Sequence, residues 1–283
     1  MTKIRVLTAL VMAPAVIAAV LLLPTGWLML LSAVVFLLAL WEWLRLADLE
    51  DTLARSILLA ANLGLMVALV WGSKSNVVRS LPLFQLAVVI GAAWWCCALL
   101  WLRHFDFASG SQTGARLIKL GAATLAVVPA WCALAVIHAG KPHGPQWLLL
   151  VLLLIWAADS GAYFTGRKFG GRWFNGRKLA PRISPNKTLE GMLGGIALAM
   201  VVAVGGALLL QAPLGKLPGI LLVAAVTVLF SVAGDLFESL LKRHADVKDS
   251  GTLIPGHGGV LDRVDSLLAA LPIFALGKVW MGF

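Results

Sequence analysis

The sequence predicts an all-α, polytopic integral membrane protein with about nine transmembrane helices, on three observations. Of 283 residues, 60% are hydrophobic and only 13% are charged, whereas a soluble domain carries about 25% charged residues. The mean hydropathy is +0.93. Apolar stretches recur along the whole chain, each reaching or approaching the roughly 17–25 residues that cross a bilayer.

Taken in order, the predicted spans are 7–23, 26–44, 56–72, 81–102, 117–138, 146–165, 190–211, 217–241 and 264–282. Lys3 and Arg5 precede the first span as they would in a signal peptide. A second apolar run starts directly after Pro24-Thr25, however, leaving no polar mature region, so the first helix is expected to be retained. Between the second and third spans, the segment 45–55 mixes leucine with both signs of charge. It reads equally as a short interfacial helix or as a solvated loop. Trp27, Trp41, Trp43, Trp71, Trp101, Trp147 and Trp280 fall near predicted helix ends, where interfacial anchoring explains them. Cys96, Cys97 and Cys132 lie in apolar helices without a metal-binding spacing, and packing is their expected role.

Charge asymmetry sets the expected orientation. With the N-terminus in the cytoplasm, Lys74, Arg79, Lys141, Lys216 and Lys278 face away from it, and the other 18 of the 23 Lys and Arg residues face it. The loops 166–190 and 242–263 then share the cytoplasmic face. The net charge of +10 sits in short loops beside helices, so anionic lipid headgroups are the expected counterpart and nucleic acid is not. Residues 1–140 read as a scaffold or dimer surface and 141–283 as the catalytic region, because the second half carries Asp159, Asp235 and Glu238 inside or at the ends of apolar helices and two long polar loops. A bacterial inner membrane is the expected location.

The densest polar block is SLLKRHADVKDSGTLIPGHGGVLDRVD, Ser239 to Asp265. Lys242, Arg243, Lys248 and Arg263 oppose Asp246, Asp249, Asp262 and Asp265 there. Polar groups at a membrane cost several kcal/mol unless they are paired, hydrated or bound to a ligand, so a charged ligand is expected, and phosphates bridged by metal fit best. Asp235, Glu238 and Lys242 share one helix face at i, i+3 and i+7, and Asp262 and Asp265 repeat the i, i+3 spacing. Two such pairs can converge on a divalent cation such as Mg²⁺, which takes oxygen ligands and shares them with phosphates. The alternative is internal pairing, Glu238 with Lys242 and Asp246 with Arg243. Pro255, Gly256, His257, Gly258 and Gly259 form a turn whose backbone can approach an anion closely.

The loop from Gly166 to Gly191 carries seven cations, one acid and five glycines. Most of its cations need only the positive-inside rule. Its tail, SPNKTLEG, is sharper. Lys187 and Thr188 stand at a predicted helix start, where free N–H groups and the dipole favour phosphate. Ser184 and Glu190 can equally be ordinary helix-start residues. No Walker A or dinucleotide-binding pattern is present. Asp159 closes an apolar run, which makes it a candidate site residue, or an acid that snorkels at a helix end.

Ser239 to Asp265, together with Ser184 to Gly191, resembles the phosphatidate cytidylyltransferase (CDP-diacylglycerol synthase) family; length and hydropathy agree over the whole chain. The resemblance implies reaction of CTP with phosphatidic acid to give CDP-diacylglycerol and pyrophosphate, with Mg²⁺, a second cation such as K⁺, and a homodimer. By motif position, Asp262 and Asp265 resemble the metal and phosphate site, and Asp235 joins them from a neighbouring Gly-Asp-Leu. Ser184, Lys187 and Thr188 resemble part of the nucleotide site. Pro185, Asn186 and Glu190 of the same motif, and Gly258, Gly259 and Arg263 of the signature, are assigned to substrate with them.

The chemistry agrees. A phosphate monoester, with a second pKa of about 6, is its own nucleophile near neutral pH. The obstacle is an anion attacking a polyanion, so positioning and charge neutralisation dominate. Lys187, Lys242, Arg243 and Lys248 are expected to neutralise phosphate oxygens, Asp249 and His257 to orient the site, and Asp235, Asp262 and Asp265 to hold metal. A transporter would spread polar residues through several helices, yet the first five contain almost none. The spaced Asp-Gly and Gly-Asp motif of CDP-alcohol phosphotransferases is not visible.

Overall fold

The computed structural model describes residues 2–74, 82–254, 256 and 258–283. Among them are nine α-helices: α1 Thr2–Leu22, α2 Thr25–Leu46, α3 Thr52–Lys74, α4 Pro82–Arg103, α5 Thr113–Ala139, α6 Gly144–Phe169, α7 Leu189–Leu209, α8 Leu217–His244 and α9 Leu261–Met281. Eight are long and apolar enough to cross a membrane, and α1 adds a shorter apolar stretch, Leu10–Leu22. The protein is an all-α polytopic membrane protein, with one small addition. Lys178–Ala180 (β1) and Ser184–Thr188 (β2) pair antiparallel, Ala180 opposite Ser184 and Lys178 opposite Thr188.

The segment 45–55 resolves into the end of α2, a loop and the first turn of α3, not an interfacial helix. Asp51 starts α3 by accepting the N–H of Leu53 at 2.9 Å. The cap of α7 is Thr188, whose hydroxyl accepts from Gly191 N–H at 3.0 Å. Ser184, the other candidate start residue, lies four residues back in β2.

α5 is the most enclosed helix, packed against α2, α4, α6 and α9. α3 and α7 present most of their apolar surface outward, as helices facing lipid do. Trp27, Trp71 and Trp280 are exposed near helix ends, where anchoring suits them. Trp43, Trp101 and Trp147 correct that reading, being buried. With Trp94 and Trp95, Trp43 and Trp101 surround Phe237 at ring-centroid distances of 5.1–6.0 Å. An indole can be buried where its N–H finds an acceptor, and Trp43, Trp95 and Trp101 reach the carbonyls of Lys119, Leu268 and Phe107. This aromatic box braces α8 at Phe237, between Asp235 and Glu238. Cys132 is buried as expected, whereas Cys96 and Cys97 are exposed on α4.

Two glycine contacts set the helix spacing that the site depends on. A Cβ at Gly195 on α7 would lie 2.6 Å from the carbonyl oxygen of Ala158 on α6, so these helices meet backbone to backbone, as small residues permit in membranes. On α8, a Cβ at Gly234 would lie 2.5 Å from the carbonyl oxygen of Asp265 on α9. Gly234→Ala is therefore expected to push α9 from α8, lowering stability by about 1–3 kcal/mol and reducing turnover by separating Asp235 from Asp265. Thermal unfolding in detergent and an activity assay on the folded fraction check both effects.

Candidate active site

Long polar contacts gather the loops after α2, α4, α6 and α8 at one end of the bundle. Lys119 on α5 pairs with Asp48 at 3.4 Å. Arg182 forms a two-pronged pair with Asp106, at 3.1 and 2.9 Å. Arg243 Nε donates to the carbonyl of Ile183 at 3.2 Å, and the ring of His244 meets the carbonyl of Phe105 at 2.7 Å. The hydrogen bond from Arg182 holds the exposed Asp106 carboxyl below its usual pKa. An exposed pair of this kind is well screened and acts mainly to orient the hairpin loop.

A cavity of about 530 Å³ opens at this end between α6, α7, α8 and the hairpin, a size typical of small-molecule sites. Ala158, Met192, Val228 and Val232 line its apolar part. Asp159, Arg167, Ser184, Asn186, Lys187 and Asp235 supply its polar part. Pairing with β1 holds β2 so that Lys187 reaches across to α8, where its Nζ lies 2.5 Å from Asp235 Oδ2. Asp235 is within electrostatic reach of both Asp159 on α6 and Asp265 on α9, and Lys187 acts on all three. The Lys187–Asp235 pair, with Asp159 lining the same cavity, sets its charged end.

Beside it lies a second cluster. Lys242 Nζ contacts Glu238 Oε2 at 2.5 Å and Asp262 Oδ1 at 2.7 Å. Asp262 Oδ2 accepts from Ser250 N–H at 3.0 Å, Ser250 Oγ at 3.0 Å and Gly259 N–H at 2.7 Å. Both oxygens of Asp262 are thus engaged by the protein itself. Glu238 pairs with Lys242, as the internal-pairing alternative allowed, while Arg243 turns to Ile183.

Among the described residues, no group of three or more His, Cys, Asp or Glu side chains is arranged to hold a metal ion. The donor set nevertheless fits a hard cation at one place. Asp235 and Asp265 come from helices that meet backbone to backbone at Gly234, both offer carboxylate oxygens, and Asp235 lines a cavity that can admit further oxygen ligands. That is how Mg²⁺ is usually held when a phosphate substrate completes its shell.

Other sequence candidates fall outside the cavity. Glu190 is fully buried, and its Oε1 accepts the N–H groups of Gly171, Trp173 and Phe174 at 3.1–3.3 Å, so it shapes the preceding loop. Lys248 and Asp249 are exposed beyond the end of α8, and Arg263 is exposed on α9. Gly258 has φ of +81° and its carbonyl accepts from Ile254 N–H at 2.9 Å. The expectations for Pro255 and His257 lie outside the described residues. Pro185 sits in β2, beside the cavity-lining Ser184 and Asn186.

Three further residues bear on the site. Asp159, left open, lines the cavity, and so does Arg167, which had been given only to the positive-inside rule. Glu42 was not singled out at all. It is 3% exposed on α2 and accepts from Ser250 Oγ at 2.9 Å and Leu261 N–H at 2.8 Å. Its signal was present as a lone acid inside the apolar run of α2, where an ionisable residue is a site hypothesis by default.

The profile of the cytidylyltransferase family matches residues 3–279. A protein from Pseudomonas aeruginosa named phosphatidate cytidylyltransferase is 40% identical over 276 residues, covering 97% of this chain and 96% of the relative. One of the same name from Haemophilus influenzae is 37% identical over 295 residues, covering 97% and 98%. Another from Bacillus subtilis is 48% identical over 130 residues, 46% of each chain.

Proposed function

The chain belongs to the cytidylyltransferase family, and from that membership we propose that it transfers CMP from CTP to phosphatidic acid, giving CDP-diacylglycerol and pyrophosphate. The observation that carries this reading is the cavity. Its apolar walls lie between membrane helices and its polar end bears Lys187, Arg167, Ser184 and Asn186, which suits a phosphate joined to acyl chains beside a polyanionic nucleotide.

An oxygen of the lipid phosphate attacks the α-phosphorus of CTP, the bond from that phosphorus to the bridging oxygen breaks, and pyrophosphate leaves. The nucleophile is already an anion near pH 7, so no side chain must remove a proton. Lys187 and Arg167 bring the two anions together by neutralising phosphate oxygens, and Ser184 and Asn186 orient them. Asp235 and Asp265 would hold Mg²⁺, which supplies Lewis-acid stabilisation of charge on the phosphates when bound. Asp262 fixes Lys242 and the Ser250 and Gly259 backbone at the edge of the site. Asp235 holds Lys187 by direct contact, and Asp159 lines the same cavity from α6.

The end of the bundle that carries this cavity also carries the Lys- and Arg-rich loops. The positive-inside rule therefore supports a cytoplasmic active site, and the bacterial relatives support an inner membrane. The homodimer implied by the family resemblance belongs to the same proposal, and the mass of the protein–detergent complex, corrected for detergent, tests it.

The deciding experiment supplies detergent-purified protein with phosphatidic acid, radiolabelled CTP and Mg²⁺, and follows label into the organic phase. Label that requires phosphatidic acid and disappears with EDTA is expected. Absence of lipid-extractable label from a folded preparation would reject the reaction, and label undiminished by EDTA would reject the metal.

A further inference from the structure

We propose that Glu42, on the second transmembrane helix, is a positioning residue that fixes Ser250 and Leu261 and through them the Asp262–Lys242 pair. The proposal rests on the catalytic reading above and extends the working site into the N-terminal half of the chain.

Four contacts carry it. Ser250 is fully buried, and α2 grips it twice. Glu42 Oε2 accepts from its hydroxyl at 2.9 Å, and Arg45, one turn further along, donates to its carbonyl at 2.7 Å. Glu42 Oε2 also accepts from the N–H of Leu261 at 2.8 Å, at the first turn of α9. Ser250 in turn donates its N–H to Asp262 at 3.0 Å. An unbroken chain therefore runs from Glu42 through Ser250 to Asp262 and Lys242.

The space around Glu42 is shaped for its carboxyl group. A Cβ at Gly251 or Gly259 would lie 2.7 or 2.6 Å from its carboxyl carbon, so both glycines let the segment close over it. Packing alone does not account for the residue. Its Oε1 is buried without a hydrogen-bond partner, a costly state for a carboxylate. An apolar side chain would fill the same volume without that cost, but it could not hold the Ser250 hydroxyl and the Leu261 N–H together.

Outer-shell contacts of this type typically contribute 10–100-fold to the function of the groups they orient. Glu42→Ala is expected to lower kcat by about that factor while the KM for CTP stays within about threefold, because the cavity residues Ser184 to Thr188 lie on other elements. Glu42→Gln retains an amide oxygen that can accept both hydrogen bonds, and it is expected to keep at least about a third of wild-type kcat.

A readout independent of activity is hydrogen exchange by mass spectrometry on the intact protein in detergent. Protection across 250–261 is expected to fall in Glu42→Ala and to survive in Glu42→Gln, with the helices unchanged. If Glu42→Ala does not fold, Ser250→Ala removes the hydroxyl's bonds to Glu42 and Asp262 while keeping the backbone contacts, and is expected to weaken protection over the same segment. Unchanged protection in Glu42→Ala, or equal loss of protection in the glutamine variant, overturns the proposal. Because protection is measured without substrate, it decides the positioning role even if the transfer reaction itself is not found.

Discussion

Lys187→Ala is expected to lower kcat/KM by about 10²–10³-fold, the usual effect of removing one preorganised charge from a site where charge is stabilised. Lys187 lines the cavity, its side chain is 26% exposed, and it contacts Asp235 at 2.5 Å. Its removal takes away the ammonium that Asp235 contacts in the cavity that Asp159 also lines. The exposed carboxylates would then repel the phosphates they should help to receive. Lys187→Arg keeps the charge but not the compact point contact, and is expected to retain part of the activity. Label transfer from CTP into lipid, measured on folded protein, checks this. Wild-type turnover in the alanine variant would remove Lys187 from the site.

Asp262→Ala is expected to act on both turnover and stability. The side chain is 7% exposed and receives Lys242, the Ser250 hydroxyl and two backbone N–H groups. Deleting it leaves the Ser250 and Gly259 N–H groups without that acceptor, leaves the Ser250 hydroxyl to Glu42, and places the Lys242 charge against Glu238 alone. Breaking a buried ion pair from one side costs about 3–5 kcal/mol. Turnover is expected to fall below about 1% of wild type, the scale of losing a preorganised charge. Asp262→Asn keeps an oxygen for Ser250 and Gly259 but loses the charge facing Lys242. It is expected to recover most of the stability and little of the turnover. Thermal unfolding alongside the transfer assay separates the two effects, and an asparagine variant with near-normal turnover would leave Asp262 a purely structural role.

The fold was legible because membrane helices announce themselves through composition. Each predicted span corresponds to an observed helix, with boundaries displaced by a few residues where polar end residues such as Lys74, Arg103 and Lys168 continue the helix past the apolar run. The hairpin was missed because Ser184 to Thr188 carries helix-start residues and β1 is only three residues long; backbone pairing, not side-chain pattern, makes it a strand. Tryptophan position along a helix likewise did not separate anchors from core. Trp43 and Trp71 both lie toward helix ends, yet one packs on Phe237 and the other is exposed.

The sequence by itself determined the membrane class, the concentration of polar chemistry in the second half, and the SPNKTLEG motif and the neighbouring Gly-Asp-Leu whose residues meet as Lys187 and Asp235. Those properties follow from local hydropathy and from residue types at short spacing. The tertiary structure alone decided how each charge is used. It saturated Asp262 with Lys242 and the Ser250 and Gly259 donors, turned Glu190 to its own loop, placed Asp159 in the cavity, and drew Glu42 from 208 residues away onto Ser250. A buried charge takes its role from the partners that offset its desolvation, and those partners arrive only when distant helices pack.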